Sequence, residues 1–203
     1  MTASLLETLD LRRRVETSLV NSGWYGDADR SADFYLDFFP SIPKIMREIK
    51  STSQNPRALD MGCGTGRAAR ELQDTFHIPF DGVSLVFYPP IEEHKFLDPE
   101  RITIAHSGNT ELQKGIYNFI TSVGCLDIGG TLSYLKQEVE PVFDLMAPGG
   151  YFLLARTSPL THEKLDEYQR FLSYAEGYGL KMRTDLMALS PTPYKLGSVI
   201  FQK

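Results

Sequence analysis

Asp60, Gly62, Gly64 and Gly66 alternate along the run Ala58-Leu59-Asp60-Met61-Gly62-Cys63-Gly64-Thr65-Gly66-Arg67. An acid followed by alternating glycines suits the seating of a ligand. Glycine at these positions permits positive φ and lets a ligand approach the backbone, because no Cβ intervenes. Ala68-Ala69-Arg70-Glu71-Leu72 follows and favours a helix, whose first N–H groups face whatever lies over the loop. The apolar residues before the acid read as a buried strand, giving a strand, a tight turn and a helix start. A dinucleotide fingerprint needs glycine at position 67, where Arg67 stands, and no Gly-Lys-Ser/Thr closes the run as in a Walker loop.

Several elements must bring partners to this loop. Short apolar segments at 57–61, 80–86, 101–105, 117–123 and 150–155 alternate with helical patterns at 65–76, 91–97 and 131–146, with a turn at 110–114. A helix at 161–177 follows, then two strands, Leu180 to Leu189 and Leu196 to Gln202. The alternation predicts an α/β fold with a doubly wound, mostly parallel sheet and helices on both faces. Residues 4–21 carry an amphipathic pattern, Ser31 is placed to cap a helix bearing Phe34, Tyr35, Phe38 and Phe39, and residues 44–50 read as helical. We therefore expect an N-terminal helical cap or lid over 1–50 and a ligand-binding domain over 51–203, packed as one compact domain.

Ligands of such sheets bind at the carboxyl ends of the strands, where strand order reverses. That rule brings Ser84 and Leu85, then His106, Gly108 and Asn109, then Ser122, Cys125 and Asp127, then Arg156 toward Asp60–Gly66. His106 closes strand three and is a candidate base, or else a hydrogen-bonded structural histidine. Asp127 can draw a proton if burial raises its pKa; the plain alternative is a helix cap. Cys125 lies near the expected reacting atoms and reads as a small buried apolar residue rather than a nucleophile. Trp24 and Tyr25 either cover the ligand or stack on a planar substrate, or they pack the cap on the sheet. His77, His94 and His162 have no partners at metal-ligand spacing, so no metal site is expected.

The glycine run is similar to motif I of the class I S-adenosylmethionine (SAM) dependent methyltransferases, acid-x-G-x-G-x-G. Leu145-Met146-Ala147-Pro148-Gly149-Gly150-Tyr151-Phe152-Leu153-Leu154 resembles that family's L-x-P-G-G turn into strand five. The resemblance covers the chain from Arg57 onward and implies a seven-stranded sheet whose last strand runs antiparallel. It implies SAM as cofactor. Asp60, Gly62, Cys63, Gly64 and Gly66 would take the methionine end, Ser84 and Leu85 the ribose, and Gly108 and Asn109 the adenine, with Ser122 beside them. Two departures stand out. Ser84 occupies the place of the acid that grips the ribose hydroxyls, as in members resembling the fatty-acid cyclopropane synthases, and a hydroxyl lacks the charge-assisted grip of a carboxylate. Asn109 replaces an adenine-facing acid but keeps an acceptor oxygen.

The implied reaction is methyl transfer to a small molecule by in-line displacement, with Trp24, Tyr25, Cys125 and Arg156 on the acceptor side. A methyltransferase-fold binding protein without turnover and a protein methyltransferase are the rival readings. Ser122-Val123-Gly124-Cys125 is not the Asn/Asp-Pro-Pro-aromatic motif of base-methylating enzymes. A formal charge of −5 and a pI near 5.4 also disfavour nucleic acid. Two cysteines without metal spacing, no signal-like N-terminus and no apolar run of bilayer length point to a reducing, cytoplasmic setting away from membranes.

Overall fold

A computed structural model describes residues 29–85, 95–106, 108, 111–126, 132–155, 165–187 and 198–203. The sheet contains β1 (Ala58–Met61), β2 (Phe80–Ser84), β3 (Ile102–Ile104), β4 (Tyr117–Val123), β5 (Met146–Ala155), β6 (Lys181–Met182) and β7 (Val199–Gln202). It has seven strands in the order β3-β2-β1-β4-β5-β7-β6. Pairs β1–β2, β1–β4, β2–β3 and β4–β5 are parallel, while β7 runs antiparallel to β5 and β6. Every residue of β1 and β2 is buried, the pattern of parallel strands covered on both faces. Strand order reverses between β1 and β4, so a crevice opens at their carboxyl ends.

One face of the sheet is covered by α1 (Ala32–Phe38), α2 (Ile42–Thr52) and α3 (Arg67–Phe76). In α2 the buried residues Ile42, Ile45, Met46 and Ile49 recur at helical spacing, and Pro43 sits in the first turn, where its missing N–H costs nothing. Tyr35 and Phe39 of the cap segment share a core with Ala58, Phe80 and Phe119 of the sheet. The other face carries α4 (Leu132–Tyr134), a π-helical turn (Leu135–Val139), α5 (Glu140–Leu145) and α6 (Leu165–Gly177). There Phe143 meets Phe152 edge to face at 5.9 Å between ring centroids, and Phe171 meets Phe201 at 5.8 Å.

Several expectations need correction. Leu180 to Leu189 is not one strand: β6 ends at Met182 and α7 (Thr184–Met187) follows. The Arg183 guanidinium forks onto Asp185 through Nε and Nη2, both at 2.8 Å, while Leu186 N bonds Arg183 O, and these local bonds turn the chain. Residues 95–97 are not helical. Pro99–Arg101 forms a short 3-10 turn instead, since Asp98 precedes a proline and is held in extended backbone. The expected helix at 131–146 is interrupted by the π-helical turn. Pro141 has no N–H to return to the Gln137 carbonyl, which breaks the regular ladder. Ser31 stands at the N-cap of α1 but makes no side-chain cap bond; the Ala32 N–H goes to Glu71 Oε2 at 2.6 Å. The expected helix at 4–21 lies outside the described residues.

Candidate cofactor site at the carboxyl ends of β1 to β4

The motif loop folds as its glycines dictate. Gly62 has φ +83, and a Cβ placed on it would lie 2.3 Å from Cys125 Cβ and 2.7 Å from Cys125 Sγ. Only glycine therefore lets the loop after β1 pass under the turn after β4. The Gly62 and Cys63 N–H groups both bond Val83 O, at 2.8 and 3.0 Å, which ties the loop to β2. Gly66, also at positive φ, forms the N-cap of α3.

Register explains the environment of Asp60. Pairing β1 with β4 sets Asp60 opposite Thr121, whose Oγ1 donates to Asp60 Oδ1 at 2.9 Å. The Tyr35 hydroxyl, from α1, reaches both carboxylate oxygens at 3.1 and 2.9 Å. Asp60 is fully buried, and burial raises its carboxyl from 3.8 to about 6 against the opposing pull of these hydrogen bonds and of Arg30. Burial, and then the charge of Asp60, push the Tyr35 hydroxyl well above its ordinary value, so it stays a donor.

The segment before α1 holds the loop from above. Asp29 accepts from Thr65 Oγ1 at 3.1 Å and pairs with Arg67 Nη1 at 3.2 Å; Arg67 Nε also binds Glu71 at 2.8 Å. Arg30 Nη1 donates to Val123 O at 2.6 Å, and its guanidinium lies 4.8 Å from the centre of the Phe34 ring. Arg30 Nε is buried without a hydrogen-bond partner.

A cavity opens at the strand ends, lined by Met61, Gly62, Ser84, Leu85, Ala105, His106, Cys125 and Tyr134 among others. Ser84 is buried, and the main chain of β2 continues past it through Ala105 N to Ser84 O at 3.0 Å. Cys125, expected to be buried, is exposed toward the cavity. The protein packed around its remaining sides and the charges of Asp60 and Glu138 push its thiol up to about 12, which keeps it a poor nucleophile. His106 Nδ1 is paired with Glu138, which raises the pKa of the ring mainly through that hydrogen bond. Gly108 N donates to the same carboxylate oxygen at 3.1 Å.

Of the residues singled out in the sequence, Gly62, Ser84, Leu85, His106 and Cys125 thus come together around one cavity. Asp60 is fully buried, one residue before the lining residue Met61, and Cys63 packs against Gly82 in β2, where a Cβ on Gly82 would sit 2.6 Å from its sulfur. Ser122 is fully buried, and its Oγ accepts the Leu126 N–H at 3.3 Å, shaping the turn after β4. Trp24, Tyr25, Asn109, Asp127 and Arg156 lie outside the described residues. Sequence reasoning did not single out Asp29, Arg30, Tyr134 or Glu138, and it placed Tyr35 only among cap aromatics. The available signal was Asp29-Arg30 immediately before the α1 start, charged residues where a core-packing cap needs none. Among the described residues, none of the His, Cys, Asp and Glu side chains form a group able to hold a metal ion, and no helix is long and apolar enough to cross a membrane.

Residues 32–182 match the family described as methyltransferase domain. No curated protein matches the chain. Among solved structures, it is similar to the 1,6-didemethyltoxoflavin-N1-methyltransferase of Burkholderia thailandensis, solved with 1,6-didemethyltoxoflavin and S-adenosylhomocysteine (15% identity, 100% of this chain and 91% of that chain, TM-score 0.52). It also resembles the cyclase SpnF (9% identity, 79% of this chain and 78% of that chain, TM-score 0.50). A third likeness is to phosphoethanolamine N-methyltransferase 2 of Haemonchus contortus, at 18% identity and TM-score 0.46; 70% of this chain matches there and spans 37% of that chain.

Proposed function

The chain belongs to the class I SAM-dependent methyltransferase family, and from that premise we propose that it moves the methyl group of SAM to a small-molecule acceptor. The observation that carries the reading is the cavity bounded at once by the ends of β1, β2, β3 and β4, with the motif loop as one wall. The donor set fits the group. Gly62 lines the cavity beside Cys125, and Ser84 and Leu85 line it from β2, which supports their assignment to the ribose. The buried, unpartnered Nε of Arg30 lies on the cap side, suited to the carboxylate of an amino acid.

SAM, when bound, supplies an electrophilic methyl on a sulfonium. The chain's own task is positioning: it holds the cofactor by both ends and keeps acceptor and methyl in line in a space closed to water. Asp60 contributes from beneath. Its carboxylate fixes Tyr35 and so seats the cap over the loop, and its buried negative charge favours a cation nearby. His106 lines the cavity with Glu138 held at its Nδ1, and we read it as part of the cofactor wall. The acceptor enters beside Cys125 at the end of β4.

The likeness to a cyclase keeps a reading without methyl transfer in play, because one fold hosts several chemistries. Incubation with methyl-labelled SAM, a desalted metabolite pool and a protein extract separates the possibilities. Label is expected in the small-molecule fraction and only when the protein is present. Label confined to the protein fraction would identify a protein methyltransferase, and binding of SAM without any labelled product would identify a binding protein.

A further inference from the structure

Glu138 sits in the π-helical turn between the buried residues Leu135 and Val139, and its side chain is 14% exposed. Its Oε2 serves two groups of the loop after β3, the His106 ring at Nδ1 and the Gly108 N–H. The same turn presses on that loop a second time. A Cβ on Gly108 would lie 1.9 Å from Gln137 O, so only glycine allows the approach. That carbonyl has lost its ordinary helical donor, because Pro141, four residues on, carries no N–H. π-helical turns of this kind recur at functional sites. Here the turn links the two sides of the cavity, since His106 comes from the β3 loop and Tyr134 from the residue just before the turn.

We infer that Glu138 is a positioning residue for the adenosine end of the cofactor site, orienting His106 and pinning the Gly108 loop against the helical stretch before β5. The inference rests on the reading of the cavity as the SAM site. A carboxylate at Nδ1 selects the tautomer with its proton there and leaves Nε2 as the nitrogen available to a ligand. One anionic oxygen bridging a ring N–H and a backbone N–H is a charge-assisted contact, and removing it releases both groups together. Supporting groups that orient a ligand-binding histidine in this way typically contribute about 10–100-fold in affinity at metal sites.

The test uses S-adenosylhomocysteine (SAH) and free adenosine as probes, measured by calorimetry on the full chain. Glu138→Ala is expected to weaken both ligands by about tenfold or more and by a similar factor, since they share the adenosine end. Glu138→Gln, which keeps an acceptor oxygen, is expected to recover most of that loss. In parallel, the titration of the His106 ring protons is followed by NMR and assigned with His106→Gln. Its midpoint is expected to fall in Glu138→Gln, because Glu138 holds the ring's pKa up. A wild-type protein that binds neither ligand overturns the reading of the cavity. Normal SAH affinity in Glu138→Ala, or a loss for SAH without one for adenosine, overturns the inference alone. Should Glu138→Ala fail to fold, an unmoved His106 midpoint in Glu138→Gln overturns it just as surely.

Discussion

Gly62→Ala is expected to lose SAH binding and to unfold at markedly lower denaturant concentration than the wild type. Two independent effects add. The residue sits at φ +83, where an L side chain is strained by about 1–3 kcal/mol, and the new methyl would lie 2.3 Å from Cys125 Cβ. Forcing an extra carbon into a filled space costs about 1–3 kcal/mol more. The sum, about 2–6 kcal/mol, is a large part of the total stability of a domain this size. The two terms are separable. Cys125→Gly removes the obstructing side chain, so the double variant should regain the packing part of the loss and keep the backbone part. Urea denaturation of the four proteins in this cycle gives the coupling. A Gly62→Ala protein with wild-type stability and SAH affinity would contradict the described path of the loop.

Asp60→Asn is expected to be more stable than the wild type at pH 8. The folded carboxyl titrates at about 6 and the free one at 3.8, so the native state holds the proton more tightly. Stability from this group is fully present below the unfolded value and is lost as pH rises through the folded one. The gap corresponds to on the order of 3 kcal/mol. Asparagine is neutral throughout, and its amide oxygen still accepts from Tyr35 and Thr121. The variant should therefore gain about 1–3 kcal/mol over the wild type at pH 8 and show little difference near pH 4. Tyr35→Phe should act in the opposite sense. It strips a hydrogen bond from the charged form and costs about 1–3 kcal/mol at pH 8, less once Asp60 is protonated. Removing the buried charge should also weaken SAM, whose sulfonium is positive, more than SAH, whose sulfur is neutral. An Asp60→Asn protein less stable than the wild type at pH 8 would show that the charged carboxylate is fully compensated by its partners.

The parts of this architecture that were legible in the sequence are those encoded locally. Asp60 to Gly66 announces a strand, a turn and a helix start because the alternating glycines interrupt helix and strand alike after a short apolar run. The buried strands β1 and β2 show as short apolar runs, and the similarity of residues 145–154 to a family turn leads to the right sheet, with β7 antiparallel. The parts that were not legible depend on pairs distant in the chain. Nothing in the aromatic cluster around Phe34 to Phe39 marks Tyr35 as the residue whose hydroxyl meets Asp60, because that depends on how α1 lies across the sheet. Glu138 reads as an ordinary exposed helical acid until Pro141 disrupts the ladder and the Gly108 loop arrives against it. Cys125 looks like a core residue by type, yet the loop passing beneath it at Gly62 leaves it facing the cavity. Arg183 and Asp185 fit an extended alternation equally well, and only their mutual fork turns the chain after β6.

Calorimetric titration of SAH into the wild-type chain, with NAD as the parallel ligand, tests the central claim most directly. The motif loop and the cavity at the ends of β1 to β4 predict saturable binding of one SAH per chain. They predict no heat from NAD, since Arg67 occupies the position a dinucleotide fingerprint reserves for glycine. A flat SAH trace at millimolar ligand, or saturable heat from NAD in its place, would contradict the account.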